Sequence, residues 1–367
     1  MLQNEYIELR SRLEKVGLFK LSNTFGLVTM GVELGLLALA GVFLVSVEQF
    51  TVWYWAGVAF IAVSCFRCFV LLHECGHYTL FRTRMLNDLA GFILSPICLM
   101  PYVPWRNVHV QHHRWVGIID KDPTQAHLLK LKDERSIMNG LFKIVWMAWL
   151  PIPWIKFVLQ VFWAYPYREL IKGNWRDALP GAGSVLICVT PHLLAIIIFG
   201  ATCYLLTLIP ILVLYYMFFE NMNLPQHTSL FPYLSTTVPN PLPYRKQDSI
   251  TRTTALPPVL AVPLAYNFNF HIEHHLFPSV PWYRLQSVRR MIREVPSCEY
   301  QEAKFLSFMV ALRRRDPLDV FVRALPQHRD RGETGTVKPV KDNNLVLNTI
   351  KERRMPPVQV GGTSHSE

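Results

Sequence analysis

Eight of the thirteen histidines lie in three short clusters, a spacing that can hold metal. The clusters are His73-Glu-Cys-Gly-His77, His109-Val-Gln-His112-His113 and His271-Ile-Glu-His274-His275. Residues three and four apart share one face of a helix, so each cluster is expected to aim all its imidazoles at one point. Neutral imidazole is a good ligand for iron, zinc and copper. Eight such donors exceed what one four- or six-coordinate ion accepts, so the count argues for two metals. A ninth candidate is His227, which follows Asn223 in an Asn-x-x-x-His spacing. Asn223 and His227 share a face if the helix that carries them runs on through Pro225.

The first cluster also reads as His-Glu-x-x-His, the pattern of a zinc protease in which Glu74 would be the base. That reading uses three residues and leaves six clustered histidines without a purpose. A metal transporter is a weaker alternative, because transporter sites lie near the bilayer midplane on broken helices. Of the remaining histidines, His127 reads as a loop residue and His192 as packed within an apolar helix, while His328 and His365 fall in a charged terminal stretch.

The elements that must position these clusters read as membrane helices. The 367 residues are 51% hydrophobic and 17% charged, with mean hydropathy +0.21. A soluble chain carries about 25% charged residues. This composition excludes disorder over most of the length and a disulfide-built scaffold. The seven cysteines include a Cys65-x-x-Cys68 pair inside an apolar run, which reads as reduced and buried rather than as a redox or zinc pair.

A bilayer crossing needs about 20 apolar residues. Residues 27–47, 53–72, 182–199 and 202–219 meet this, with Glu33 inside the first and Arg67, expected to snorkel to the interface, inside the second. Short links join them into two hairpins, the second divided near Gly200. Residues 89–102, 144–165 and 256–266 are apolar but broken by proline, and read as re-entrant or interfacial.

The net charge of +11 belongs to this topology rather than to nucleic acid. Residues 1–24 carry four Lys and Arg, residues 73–180 carry 13 and residues 221–367 carry 19, while the two hairpin tips carry none. The positive-inside rule then puts both termini and the middle loop in the cytoplasm, together with all three histidine clusters. The expected fold is all-α and integral to the membrane: four spanning helices in two hairpins under a cytoplasmic helical cap. Residues 1–24 form an amphipathic segment, 25–324 the membrane domain and 325–367 a flexible charged tail.

With its three boxes and paired hairpins, the chain resembles the membrane fatty-acid desaturase superfamily over roughly residues 20–300. Two flanking phrases add to the resemblance, Asp120-Lys-Asp-Pro-Thr124 and Asn267-Phe-Asn-Phe-His-Ile-Glu-His-His-Leu-Phe-Pro278. The resemblance implies a nonheme di-iron centre that uses O2 to remove hydrogen from an acyl carbon. It carries ligand roles onto His73, His77, His109, His112, His113, His227, His271, His274 and His275, with Asn223 approaching a metal through water. Carboxylates beside the boxes, Glu74, Asp122 and Glu273, are expected to orient imidazoles through the other ring nitrogen. Arg106 and Arg114 bracket the second box and are expected at an anionic head group.

The third box opens with His271 rather than glutamine, and the sequence has no HPGG haem motif. A separate electron donor is therefore expected, a ferredoxin, rubredoxin or free cytochrome b5. The substrate is a fatty acid, acyl thioester or acyl lipid, and the membrane a bacterial inner membrane or the endoplasmic reticulum. Hydroxylation and terminal-alkene-forming decarboxylation occur in the same superfamily and stay open.

Overall fold

The structure is a computed structural model that describes residues 1–131, 139–230 and 233–321. The expected tail, 325–367, with His328 and His365, lies outside the described residues. A short helix α1 (Gln3–Lys15) precedes two long apolar helices, α2 (Asn23–Ser46) and α3 (Val52–His77). Helices α4 (Arg84–Cys98) and α5 (Tyr102–Trp115) follow, then the shorter α6 (Leu128–Leu131), α7 (Asn139–Met147), α8 (Ile152–Val158) and α9 (Tyr165–Ile171), with a π turn over Leu159–Trp163 between α8 and α9. The second apolar pair is α10 (Trp175–Phe199) and α11 (Ala201–His227). Helices α12 (Pro258–Ala265), α13 (His271–Leu276), α14 (Leu285–Ile292), α15 (Phe305–Arg313) and α16 (Pro317–Phe321) complete the described chain.

The expectation of an all-α fold needs one correction. Strand β1 (Thr253–Ala255) pairs in parallel with β2 (Glu302–Lys304), Thr253 opposite Glu302. Two of the three residues of β1 are β-branched threonines, and the pairing ties the approach to α13 to a later segment.

Among the described residues four helices, α2, α3, α10 and α11, are long and apolar enough to cross a membrane. Two of them start at a side-chain cap: Ser22 accepts from the Phe25 amide at 3.2 Å and Thr51 from the Tyr54 amide at 3.3 Å, satisfying donors that a helix leaves free. Between α10 and α11 the chain turns at Gly200, whose φ of +80° suits a residue without a Cβ.

Helix α3 is the centre of the packing. It is 67% buried over its apolar stretch, against 22%, 11% and 22% for α2, α10 and α11, and it packs on α2, α4, α5, α11 and α12. The other three turn apolar side chains such as Leu39, Val45, Ile197 and Ile198 outward. Five of the seven cysteines are buried and none is bridged, as expected, but Cys203 is exposed on the outer face of α11.

Both long apolar helices that reach the histidine region run further than hydropathy suggests. The apolar pattern of α3 stops at Leu72, yet the helix continues through His77. Likewise α11 continues past Phe219 through Pro225 to His227. Polar residues end a hydropathy window but not an i→i−4 hydrogen-bond ladder. The stretch 89–102 spans the junction of α4 and α5, which meet at 103° after Pro96 and Leu99. Residues 256–266 form only the eight-residue α12.

Arg67 does not snorkel. Its guanidinium meets the fully buried Glu33 carboxylate at 2.6 Å, linking α3 to α2, and Tyr266 donates its hydroxyl to the same carboxylate oxygen at 2.7 Å. A carboxylate buried in an apolar helix needs a counter-charge more than the arginine needs water. Replacing Arg67 by leucine strands that carboxylate and is expected to cost about 3–5 kcal/mol, read as a lower unfolding temperature in detergent. Adding Glu33→Leu should return most of the loss; additive losses in the double variant would show that the two side chains do not act as a pair.

Candidate metal centre

The nine sequence-predicted histidines converge into two groups. His73, His77, His109, His113 and His274 form one, and His112, His227, His271 and His275 the other, with the ring nitrogens of each group within 4.8 Å of one another. The groups adjoin, since His113 stacks on His275 with centroids 4.3 Å apart.

The expectation that each cluster aims at a single point is therefore corrected. The second and third boxes are split between the groups, and the reason is helical geometry. Neighbouring residues stand about 100° apart around the axis, whereas i and i+4 nearly coincide. His109 and His113 on α5 thus serve one group while His112 serves the other. On α13 the pattern is exchanged: His271 and His275 join His112, and His274 joins His113. Helix α3 adds the His73 and His77 pair to the first group, and the end of α11 adds His227 to the second.

Within the groups the nitrogens face one another. In the first, Nε2 atoms lie 2.8 Å apart for His77 and His109, 3.0 Å for His109 and His113, and 2.9 Å for His113 and His274. In the second, His227 Nε2 lies 2.8 Å from that of His271 and 3.2 Å from that of His112. Both ring nitrogens of His73 and the Nε2 of His275 are buried without a partner among the described residues. Orphaned nitrogens of this kind are costly unless something binds them. A buried donor set made only of imidazole suits iron, zinc or copper.

The outer nitrogens fix which atom faces inward. His112 Nδ1 donates to Asp122 Oδ2 at 2.8 Å, His227 Nδ1 to the Ile250 carbonyl at 3.1 Å and His275 Nδ1 to Gln247 Oε1 at 2.9 Å. Each proton is held outward by an oxygen, which leaves a lone pair on Nε2 for a metal. Asp122 is itself held by the Thr124 amide and hydroxyl, at 2.9 and 2.8 Å. Burial, followed by the neighbouring imidazoles, holds His271, His274 and His275 well below the usual histidine range, so these rings are neutral, the form that binds metal.

Of the three carboxylates expected to orient imidazoles, Asp122 does so directly. Glu74 accepts instead from the Thr79 hydroxyl at 2.8 Å and the Trp282 amide at 3.0 Å, and its other oxygen stands 3.7 Å from His73 Nδ1, beyond hydrogen-bond range. With Glu74 tied to structure and its two histidines in a set of five, the zinc-protease reading loses its base. Glu273 accepts from the Thr253 hydroxyl at 2.6 Å and from the Tyr300 hydroxyl, so it fastens α13 to β1 rather than steering a ring.

A cavity of about 1610 Å³ adjoins both groups, lined by His73, His109, His112, His227 and His271 and bounded by α5, α8, α9 and α11. It exceeds the roughly 300–1,000 Å³ of common ligand pockets. Phe69, Phe157, Phe162, Phe219 and Phe268 supply apolar wall, and Arg168, Lys172 and Asp177 line a polar part. Asn223 lines it beside His227, with its amide nitrogen donating to the Phe219 carbonyl at 2.8 Å. Arg106 also lines it, its guanidinium over the Tyr78 ring at 4.3 Å. Arg114 is exposed over Trp115 and is not part of that lining. His127 is a cavity residue beside Phe157, whereas His192 is held by the Tyr204 hydroxyl and the Pro96 carbonyl.

Sequence reasoning missed Gln247, Thr124 and Trp105. Thr124 stands in a phrase that drew attention for other reasons, but nothing marked Gln247. The Trp105 ring stacks on His109, with centroids 4.7 Å apart and planes 18° apart. Gly76 makes room for it: a Cβ there would lie 2.4 Å from Trp105 Cζ3.

Asp122→Asn keeps the shape but weakens the hold on His112, so metal affinity is expected to fall by about 10–100-fold in a chelator competition. Gly76→Ala should displace Trp105 and lower the metal retained on purification while the protein still inserts; full occupancy with an unchanged absorption spectrum would refute the packing role.

Comparison with known proteins agrees with this geometry. The fatty acid desaturase family matches residues 50–307. A soybean (Glycine max) chloroplastic omega-6 fatty acid desaturase is 23% identical over 257 residues, 66% of this chain and 55% of the relative. An Arabidopsis thaliana protein named acyl-lipid omega-3 desaturase (cytochrome b5), endoplasmic reticulum, is 24% identical over 291 residues, 73% of this chain and 70% of the relative. The Caenorhabditis elegans Delta(12) fatty acid desaturase fat-2 is 26% identical over 158 residues, 41% of this chain and 40% of the relative. The chain spans about half the length of the first of these curated relatives, from 40% to 55%. A match over 258 residues, well over half of the sequence, decides the matter: the chain belongs to the fatty acid desaturase family.

Proposed function

We propose that the chain is an O2-dependent di-iron oxidoreductase that introduces a double bond into a fatty acyl chain. The observation that carries this reading is the pair of nitrogen-only histidine groups opening onto one large, aromatic-lined cavity. The nine histidines would hold two iron ions, five donors on one and four on the other. Zinc has no redox chemistry, and an alkyl C–H bond offers no acidic proton, so the cavity calls for a redox metal. Iron bound there would supply the oxidation by O2.

The balance is one O2, two external electrons and two protons converted to two waters, as two hydrogens leave adjacent carbons and a double bond forms. The protein's part is to bind and orient the chain. The phenylalanine wall sequesters the acyl chain from water, which strengthens the polar contacts that remain. Asp122, Gln247 and the Ile250 carbonyl keep the imidazole protons outward. Asn223, beside His227, is placed to reach a metal through water, and Arg106 to meet a polar head group. Fatty acid, acyl thioester and acyl lipid each fit a cavity with a polar part.

The electrons come from a separate donor, a ferredoxin, rubredoxin or cytochrome b5; one relative is named for cytochrome b5. The distribution of Lys and Arg supports a two-hairpin topology with the metal centre, residues 1–24 and the chain beyond the membrane domain (25–324) on the cytoplasmic side.

The test is expression in a host of known lipid composition, with product analysis by mass spectrometry and metal analysis of the purified chain. A new double bond and two iron ions per chain are expected. A hydroxylated product, or a terminal alkene one carbon shorter, would replace desaturation by another oxidation of the family, and an active chain free of iron would overturn the reading. His112→Ala and His274→Ala, one from each group, should each lower turnover by about 100-fold and reduce bound iron.

A further inference from the structure

The last turn of α11 delivers His227, and it is a turn that needs support. Pro225 gives no amide to the hydrogen-bond ladder, and the last four carbonyls of any helix lack an intrahelical partner. Here each of the four is met. The Thr228 hydroxyl donates to the Leu224 carbonyl, and the Leu230 amide to that of His227 at 3.0 Å. The other two are met by Arg252: its Nη1 donates to the Pro225 carbonyl at 2.7 Å and its backbone amide to the Gln226 carbonyl at 2.9 Å. The same Nη1 reaches the Thr228 carbonyl, just past the helix, at 3.3 Å. Among the described residues no carboxylate pairs with Arg252. Its charge meets instead the negative end of the α11 dipole and the Phe308 ring of α15, whose centroid lies 4.5 Å from the guanidinium carbon. The neighbours of Arg252 reach the metal centre as well. The Ile250 carbonyl accepts from His227 Nδ1 at 3.1 Å, and the Thr253 hydroxyl donates to Glu273 at 2.6 Å and accepts from the Ile272 amide at 3.2 Å. Residues 250–253 thus join the end of α11 to α13, the two helices that bring His227, His271 and His275 to the four-histidine group.

We infer that Arg252 is a positioning residue for His227: it caps α11 and so holds that imidazole at the four-histidine group, which depends on it while the five-histidine group does not. The inference rests on the two-metal reading above and goes beyond its ligand set, because Arg252 donates to backbone carbonyls and to no ring nitrogen. His227 is the one donor that α11 supplies to its group. Once the last turn frays, three donors remain, His112 from α5 and His271 and His275 from α13. The five-histidine group draws on α3, α5 and α13, none of which Arg252 caps.

The experiment compares the full chain in nanodiscs with Arg252→Met, which keeps an apolar stem but neither donor nor charge, and with Arg252→Lys, which keeps both. Iron per chain is counted after chelator competition, and Co2+ loaded in place of iron reports coordination number through its visible absorption. Arg252→Met should weaken one of the two sites by about 10–100-fold and leave the other unchanged. Its cobalt spectrum should match that of His227→Ala and differ from that of His77→Ala, and Arg252→Lys should recover most of the loss. Adding Arg252→Met to His227→Ala should cost no further affinity, since both act through one imidazole. Arg252→Gln, a smaller change judged by the same criteria, replaces the methionine variant if that one does not insert. Equal weakening of both sites, or an additive loss in the double variant, would reduce Arg252 to general stability and overturn the proposal, as would full occupancy of both sites without the guanidinium. A native chain that holds one iron would refute the two-metal reading and the inference with it. Two irons and the selective loss, with no new double bond among the lipid products, would sink the desaturase reading and keep the role of Arg252.

Discussion

Nine imidazoles packed against one another with few oxygen partners constrain everything else in the molecule. Each buried nitrogen left unmatched costs free energy, and protonating the set would bring positive charges within a few ångströms of one another. The arrangement is sustainable when the rings stay neutral and their inward lone pairs meet cations. Helices must therefore deliver side chains from four separate stretches of sequence to one small volume, and α3, α5, α11 and α13 do so. A helix end is suited to this task, because it places a rigid backbone at the edge of the apolar layer.

Two buried ion pairs join helices that pack on one another. Arg67 with Glu33 ties α3 to α2, and Arg313 with Glu220 at 3.1 Å ties α15 to α11, with the Arg313 guanidinium over Trp146 at 4.2 Å. Buried ion pairs contribute modestly to net stability but penalise any packing that separates them. Their effect here is registry: they fix how α2 and α15 sit against α3 and α11, which carry His73, His77 and His227. Glu74 and Glu273 work in the same way by hydrogen bonds, fastening the first and third histidine boxes to Trp282 and β1. Carboxylates beside the metal centre thus divide into one that steers an imidazole and two that hold backbone.

The site also separates its tasks in space along the chain. Side chains on α5, α8, α9 and α11 build the cavity wall, while the turn at Gln247 and the loop at Asp122 hold the outer nitrogens. Substrate wall and imidazole support can therefore vary separately. Phe157 and Phe162 belong to the wall, whereas the Phe268 ring meets His73 edge-on with centroids 5.3 Å apart. The two tasks also meet at Gly76 and Trp105, since Trp105 both lines the cavity and stacks on His109.

Residue types and short-range spacing determined the donor set and the four apolar helices, because helical periodicity and bilayer thickness act over distances that a local sequence window spans. Three outcomes were decided only when distant segments met. The boxes divided between two groups, because adjacent histidines diverge by about 100° and what each faces depends on how α5 and α13 pack. Arg67 turned inward, because Glu33 lies 34 residues earlier and only the contact of α2 with α3 brings the charges together. Gln247 and the Ile250 carbonyl became supports for imidazoles although their local sequence carries no metal signature. A hydrogen bond to a ring nitrogen is set by three-dimensional proximity, and proximity across 23 and 28 residues is a property of the folded chain.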